Sequence, residues 1–262
     1  MTIQEQREII LSKLSEEERQ KRIQYLEESD FKVAKMRTRL KTHYTDLGLM
    51  ESIRAFNYMC EVHGEQIRKN GEQYIIHPMS MACRIMTMRI IDDHLSATHL
   101  LHDSIEPEDR YLRDDELQKA LLILPVNDSI RYSIGLMTIT ATYENEPVSV
   151  IKRRYFQRFI ERPTNEHLNA IITKANDRND NLRTLTNLNI RSILKNILET
   201  NVFFLPNLKT AEKIWPEHEK IIHDFRERIE DIIRIHVFYN KVENPYDEEE
   251  LIRLLDDPNY LK

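Results

Sequence analysis

Most of the chain carries apolar residues three and four positions apart with charged residues between them, the spacing of helices that bury one face. Over residues 4–43, Ile9, Ile10, Leu14, Ile23 and Leu26 keep that spacing in a Glu-, Gln-, Arg- and Lys-rich background of good helix formers. Ser15 followed by Glu18 reads as a capping box and predicts two helices here. Ile53, Phe56, Met59, Cys60, His63 and Ile67 mark another helix within 49–69. Asn70-Gly71 is a turn signal, and Pro78 suits the first turn of the helix reading "MSMACRIMTMRII". The segment "DDHLSATHLLHD" is the next helix, capped by Asp92 or Asp93. One or two helices follow over 115–140 around "LPVND", then one over 148–161. A long proline-free stretch, "TNEHLNAIITKANDRNDNLRTLTNL", leads to "IRSILKNILETNVFFLP", and the last strong amphipathic helix is "EKIIHDFRERIEDIIRIHVF". The pattern predicts an all-α helical bundle. Residues 1–48 form an N-terminal helical extension, 49–240 the main domain, and 241–262 an acidic, peripheral tail.

Composition narrows this picture. A chain of 262 residues, 40% hydrophobic, suits one large domain with an appended helix or tail. The four glycines, Gly48, Gly64, Gly71 and Gly135, are too few for a Gly-rich phosphate loop, a dinucleotide fingerprint or a many-turned β-sandwich. The net charge of −6 gives no general attraction to DNA, RNA or anionic lipid. The basic run "IKRRYFQR" (151–158) reads first as a solvated helix face, with a small anionic ligand as the alternative. Cys60 and Cys83 fall in apolar helical stretches and suit free thiols in a reducing cytoplasm. The N-terminus lacks a signal-peptide core, and no apolar run reaches the roughly 18 residues that span a bilayer. A soluble cytoplasmic protein is the expectation.

The candidate chemistry centres on "LLHDSIEPED" (100–109), where His102 and Asp103 are followed by three carboxylates. A His-Asp pair alone is unspecific. His77 adds an imidazole at a loop-to-helix junction, and Asp177, Asn181 and Thr184 share one face of a predicted helix at i, i+4 and i+7. Arg68 and Lys69 stand beside the turn that delivers His77. Two imidazoles and two carboxylates suit Mn²⁺, Fe²⁺ or Zn²⁺ with positions left open. Such an ion activates water and neutralises phosphoryl charge, while neighbouring cations hold a phosphate chain. The set points to metal-assisted hydrolysis of a phosphate ester or anhydride.

Arg68-Lys69 with "GEQYIIHP", then "HLLHDSIE", "TKANDRNDNLRTL" and "LETNVFFLP", occur in the order found in the RelA/SpoT-type HD-domain alarmone hydrolases, which the chain resembles over about residues 55–210. The resemblance implies an HD-domain α-helical bundle that uses one Mn²⁺ to remove the 3′-pyrophosphate of guanosine tetra- and pentaphosphate. It implies His77, His102, Asp103 and Asp177 as metal ligands. It further implies Glu106 as the carboxylate that orients or deprotonates the attacking water, and Arg68, Lys69, Asn181 and Thr184 as the nucleotide and phosphate site. Two departures stand out. Pro107 replaces the second residue of the family's Glu-Asp pair, leaving Asp109 as the displaced second acidic candidate, and Asp180 stands where the family commonly has histidine.

A guanosine nucleotide is therefore the expected partner; a homodimer is left open. Two other functions follow from the departures: a phosphohydrolase acting on NADPH or another phosphorylated nucleotide, and a nucleotide-binding or antitoxin-like regulatory module without turnover. A second, nucleotide-transferring domain is not expected in this length. His63 reads as a packing residue, His99 as either core or support for the metal, Phe204 as core packing with base stacking as the alternative, and Trp215 as the seal of a helix junction. No chemistry is expected of the N-terminal extension.

Overall fold

A computed structural model of the chain describes residues 1–107 and 110–257. Among them there are thirteen α-helices and no extended strand, which bears out the all-α reading. The chain divides into two compact units, Met1–Ser104 with Leu124–Asn127, and Ile105–Ile123 with Asp128–Lys262.

The first unit comprises α1 (Ile3–Leu11), α2 (Glu16–Asp46), α3 (Met50–His63), α4 (Ile76–Thr87) and α5 (Asp93–Leu101). Ser15 caps α2 and Glu18 answers it, so the predicted break between the first two helices is where the capping box puts it. α2 buries a single stripe, Leu26, Val33, Leu40 and Tyr44, along 31 residues, or about 46 Å of helix. α5 is the innermost element: Leu95 through Leu101 are all buried. The two candidate cap residues divide their work. Asp92 accepts from the backbone N–H of Leu95 and starts α5. Asp93 turns away to the start of α3, where Leu49 offers no side-chain cap. Its carboxylate accepts from the N–H groups of Glu51 (3.0 Å) and Ser52 (2.7 Å), locking α3 against α5.

The second unit holds α6 (Asp114–Leu122), α7 (Asp128–Met137), α8 (Val148–Gln157), α9 (Asn165–Arg183), α10 (Ile190–Glu199), α11 (Leu205–Ile214), α12 (Glu219–Asn240) and α13 (Glu248–Leu255). α9 is its axis. Capped by Thr164 and free of proline, it packs against α7 and α12 and is buried on nearly every side from His167 to Asn179. A core of Tyr155, Phe156, Phe159, Phe203 and Phe204 lies beside it, so Phe204 is a packing residue. Between α10 and α11 the chain takes one π turn, Thr200–Phe204. Pro206 follows at once and has no N–H to continue the helical ladder, which accounts for the change of register there. The tail is not peripheral. Leu251, Leu254 and Leu255 of α13 are buried against α8 and α10.

No helix among the described residues is long and apolar enough to cross a membrane. Cys60 and Cys83 are free thiols.

Replacing Asp93 by Ala removes the acceptor for two α3 N–H groups and is expected to cost about 2 kcal/mol. A urea titration checks this as a lower midpoint with an unchanged slope.

Candidate metal centre

In the first unit, α5 ends on His102, which is 5% exposed, and the following turn carries Asp103. The Nδ1 of His102 lies 3.0 Å from the backbone carbonyl of His99. A carbonyl only accepts, so Nδ1 carries a proton, and whenever the ring is neutral its lone pair is on Nε2. His77, in the first turn of α4, meets the His102 ring nearly edge-on with centroids 5.1 Å apart. One Asp103 oxygen accepts a 2.5 Å hydrogen bond from the Tyr74 hydroxyl. The other is buried without a hydrogen-bond partner, 3.6 Å from His63 Nε2. Burial by itself would raise the Asp103 carboxyl. Neighbouring His102, His77 and His63 and the Tyr74 hydroxyl outweigh it and hold the group below the ordinary carboxylate range. A buried, ionised oxygen without a hydrogen bond beside two imidazoles is the environment a divalent cation completes.

The Arg68–Lys69 turn precedes this corner. Gly71, at φ +91°, closes it through its N–H to the Arg68 carbonyl, as the Asn70-Gly71 signal predicts. Arg68 sits over the Tyr74 ring at 5.8 Å, and Tyr74 reaches Asp103, so one aromatic joins the cationic turn to the His-Asp turn. Lys69 is exposed.

In the second unit, α9 presents Asp177 with both oxygens engaged. Lys174 Nζ donates to one and Asn181 Nδ2 to the other, each at 2.7 Å. The predicted shared face of Asp177 and Asn181 is thus a direct contact. Thr184 lies at the exposed end of the helix and donates to the Asn181 carbonyl. Burial opposes the charge on Lys174, yet Asp177, Tyr155 and Glu106 hold its pKa above the ordinary lysine value. Glu106 thus acts on Lys174 through its charge. Asp109 lies outside the described residues.

Several contributors are not among the site residues expected from the sequence. His63 is buried as expected of a packing residue, but it also faces Asp103 and Ser104. Tyr74 and Lys174 lie inside the quoted motifs, and the signal for Lys174 was its i−3 spacing to Asp177. Glu199, in "LETNVFFLP", is 2% exposed and accepts from Arg178 at 2.5 Å, with Lys152 at 3.3 Å. The arginine that follows Asp177 is therefore spent on anchoring α9 to α10.

No protein-family model and no solved structure matches the chain. A guanosine-3′,5′-bis(diphosphate) 3′-pyrophosphohydrolase of Aquifex aeolicus (strain VF5) is 25% identical over 217 residues, 76% of this chain and 29% of its own length. A protein of the same name from Spiroplasma citri is 28% identical over 157 residues, 60% of this chain and 20% of its own. A GTP pyrophosphokinase of Myxococcus xanthus is 26% identical over 155 residues, 58% and 19% respectively. The chain spans less than a third of the length of these curated relatives. Their names bear out the RelA/SpoT resemblance read from the motifs.

Burial raises the Glu199 carboxyl, but Lys152, Arg178 and Lys195 together hold it far below the ordinary value. A carboxyl depressed on folding contributes stability that is present above its unfolded pKa and lost as pH falls toward the folded one. Glu199→Gln should therefore cost about 3 kcal/mol at neutral pH by stranding the buried Arg178 and the half-buried Lys152. The difference from wild type should shrink steadily below about pH 4.5, where Glu199 of the unfolded chain takes up a proton that the folded state still excludes. Denaturant melts at both pH values read this directly.

Proposed function

We propose that the chain is a metal-dependent pyrophosphohydrolase that removes the 3′-pyrophosphate of guanosine tetra- and pentaphosphate, giving GDP or GTP and pyrophosphate, with Mn²⁺ as its ion. In this reading His77, His102 and Asp103 of the first unit hold the ion, and the motif resemblance adds Asp177 as the fourth ligand. The observation that carries it is the fixed tautomer of His102, whose backbone-bonded Nδ1 leaves Nε2 as the ligand nitrogen beside a second imidazole. The hydrolase names of the relatives supply the substrate class.

Nitrogen and carboxylate donors together suit Mn²⁺. When bound, the ion supplies Lewis-acid polarisation of a phosphoryl oxygen and activation of water. The chain's own groups do the remainder. Arg68 and Lys69 grip the anionic phosphates, Arg68 through a planar fork and Lys69 as a point charge. Asn181 and Thr184 line the nucleotide. Glu106 takes the proton of the attacking water, with Asp109 as the second acidic group. Attack at the phosphorus bonded to the ribose 3′-oxygen breaks the P–O3′ bond, so pyrophosphate departs with the water oxygen and the 3′-oxygen takes up a proton. Lys174 holds Asp177 oriented through its 2.7 Å hydrogen bond. A reducing cytoplasm is the compartment in which Cys60 and Cys83 persist as thiols.

With Mn²⁺ and guanosine tetraphosphate, chromatography should detect GDP and pyrophosphate in equal amounts. Glu106→Gln is expected to lower kcat by about 10²-fold or more, and His102→Ala to abolish turnover. Nucleotide binding without product in the wild type would contradict this reading and favour a regulatory module. Preferential release of phosphate from NADPH would reassign the substrate.

A further inference from the structure

The N-terminal extension does more than pack. We infer that α1 and α2 form a clamp that sets the Arg68–Lys69 turn in position, with Arg7 as its central positioning residue. The inference rests on the proposed role of Arg68 and Lys69 as the phosphate grip.

The turn has few backbone bonds of its own: Arg68 N–H to the Glu72 carbonyl and Gly71 N–H to the Arg68 carbonyl, both 2.8 Å. The carbonyls at its tip are taken by two arginines from the extension. Arg22 donates to the Asn70 carbonyl at 2.8 Å, and Arg7 Nε donates to the Gly71 carbonyl at 2.9 Å. Arg7 is only 5% exposed, although it carries a full charge. Its two remaining nitrogens form a bidentate pair with Asp30 of α2, both at 2.7 Å. Asp30 in turn accepts from the Gln73 side chain at 2.9 Å, on the far side of the turn. Gln6 secures the near side by donating to the Glu65 carbonyl. Gly71 is packed tightly as well: a Cβ there would meet Leu26 of α2 at 3.3 Å.

A buried guanidinium is costly unless every edge is matched, and this one is matched by one carboxylate and one turn carbonyl. Such a contact fixes a segment's conformation. A turn carrying two cations would otherwise be ordered only when the anion arrives, at the expense of affinity. Holding it beforehand also holds Arg68 over Tyr74, and so keeps the turn in register with Asp103.

The test compares wild type with Arg7→Met, Arg7→Lys and the near-isosteric Asp30→Asn, with circular dichroism confirming the fold of each. Arg7→Met should speed amide exchange at Arg68 and Gly71. It should raise KM for guanosine tetraphosphate, and weaken binding of inorganic pyrophosphate, by about tenfold, with kcat within about twofold, a uniform-binding loss. Arg7→Lys, which keeps the charge for Asp30 but lacks the fork, should recover part of the KM, and Asp30→Asn should fall between. Faster exchange with unaltered KM and pyrophosphate affinity would overturn the clamp, as would unchanged exchange or an equal fall in kcat. A wild type inactive on guanosine tetraphosphate would instead sink the hydrolase reading. The clamp would then stand or fall on exchange and pyrophosphate binding.

Discussion

A charge removed from water must meet an opposite charge or a hydrogen bond at contact distance, and each unit of this protein is organised by that requirement. In the second unit, α9 is buried on nearly all sides yet carries Lys174, Asp177 and Arg178 in one turn and a half. They persist there because Lys174 bonds Asp177, and Arg178 bonds a glutamate that is itself held by Lys152. In the first unit Arg7 is tolerated inside because Asp30 and a turn carbonyl saturate it. Pairs of this kind contribute little net stability, but they leave few alternative positions for the groups they join.

Asp103 is the exception. One of its oxygens is satisfied by Tyr74, while the other is buried with imidazoles nearby and no hydrogen bond. His102 completes the asymmetry, because the His99 carbonyl can accept from only one tautomer. A divalent ion needs such a prepared set: lone pairs already directed, with their protons placed elsewhere.

The features legible in the sequence were those whose physics acts within about four residues. The Ser15–Glu18 box, the Asn70-Gly71 turn and the Asp177–Asn181 face all follow from local spacing. The features that were not legible depend on partners far along the chain. Asp93 looks like a cap for its own helix and instead serves one that begins over forty positions earlier. Glu199 stands in a familiar motif, yet its partners Arg178 and Lys152 are named by the fold alone. The extension reads as an ordinary amphipathic pair because nothing near Arg7 announces a turn carbonyl more than sixty residues away. The tail looks peripheral by charge, but three leucines on one face of α13 are enough to bury it.

Pulsed electron paramagnetic resonance of the Mn²⁺-loaded protein reads the ligand nitrogens themselves. The account predicts modulation from two imidazole nitrogens on a single bound ion, reduced to one when His77 is replaced by Ala. An ion bound with no nitrogen coupling, or with coupling that survives loss of both His77 and His102, would contradict it.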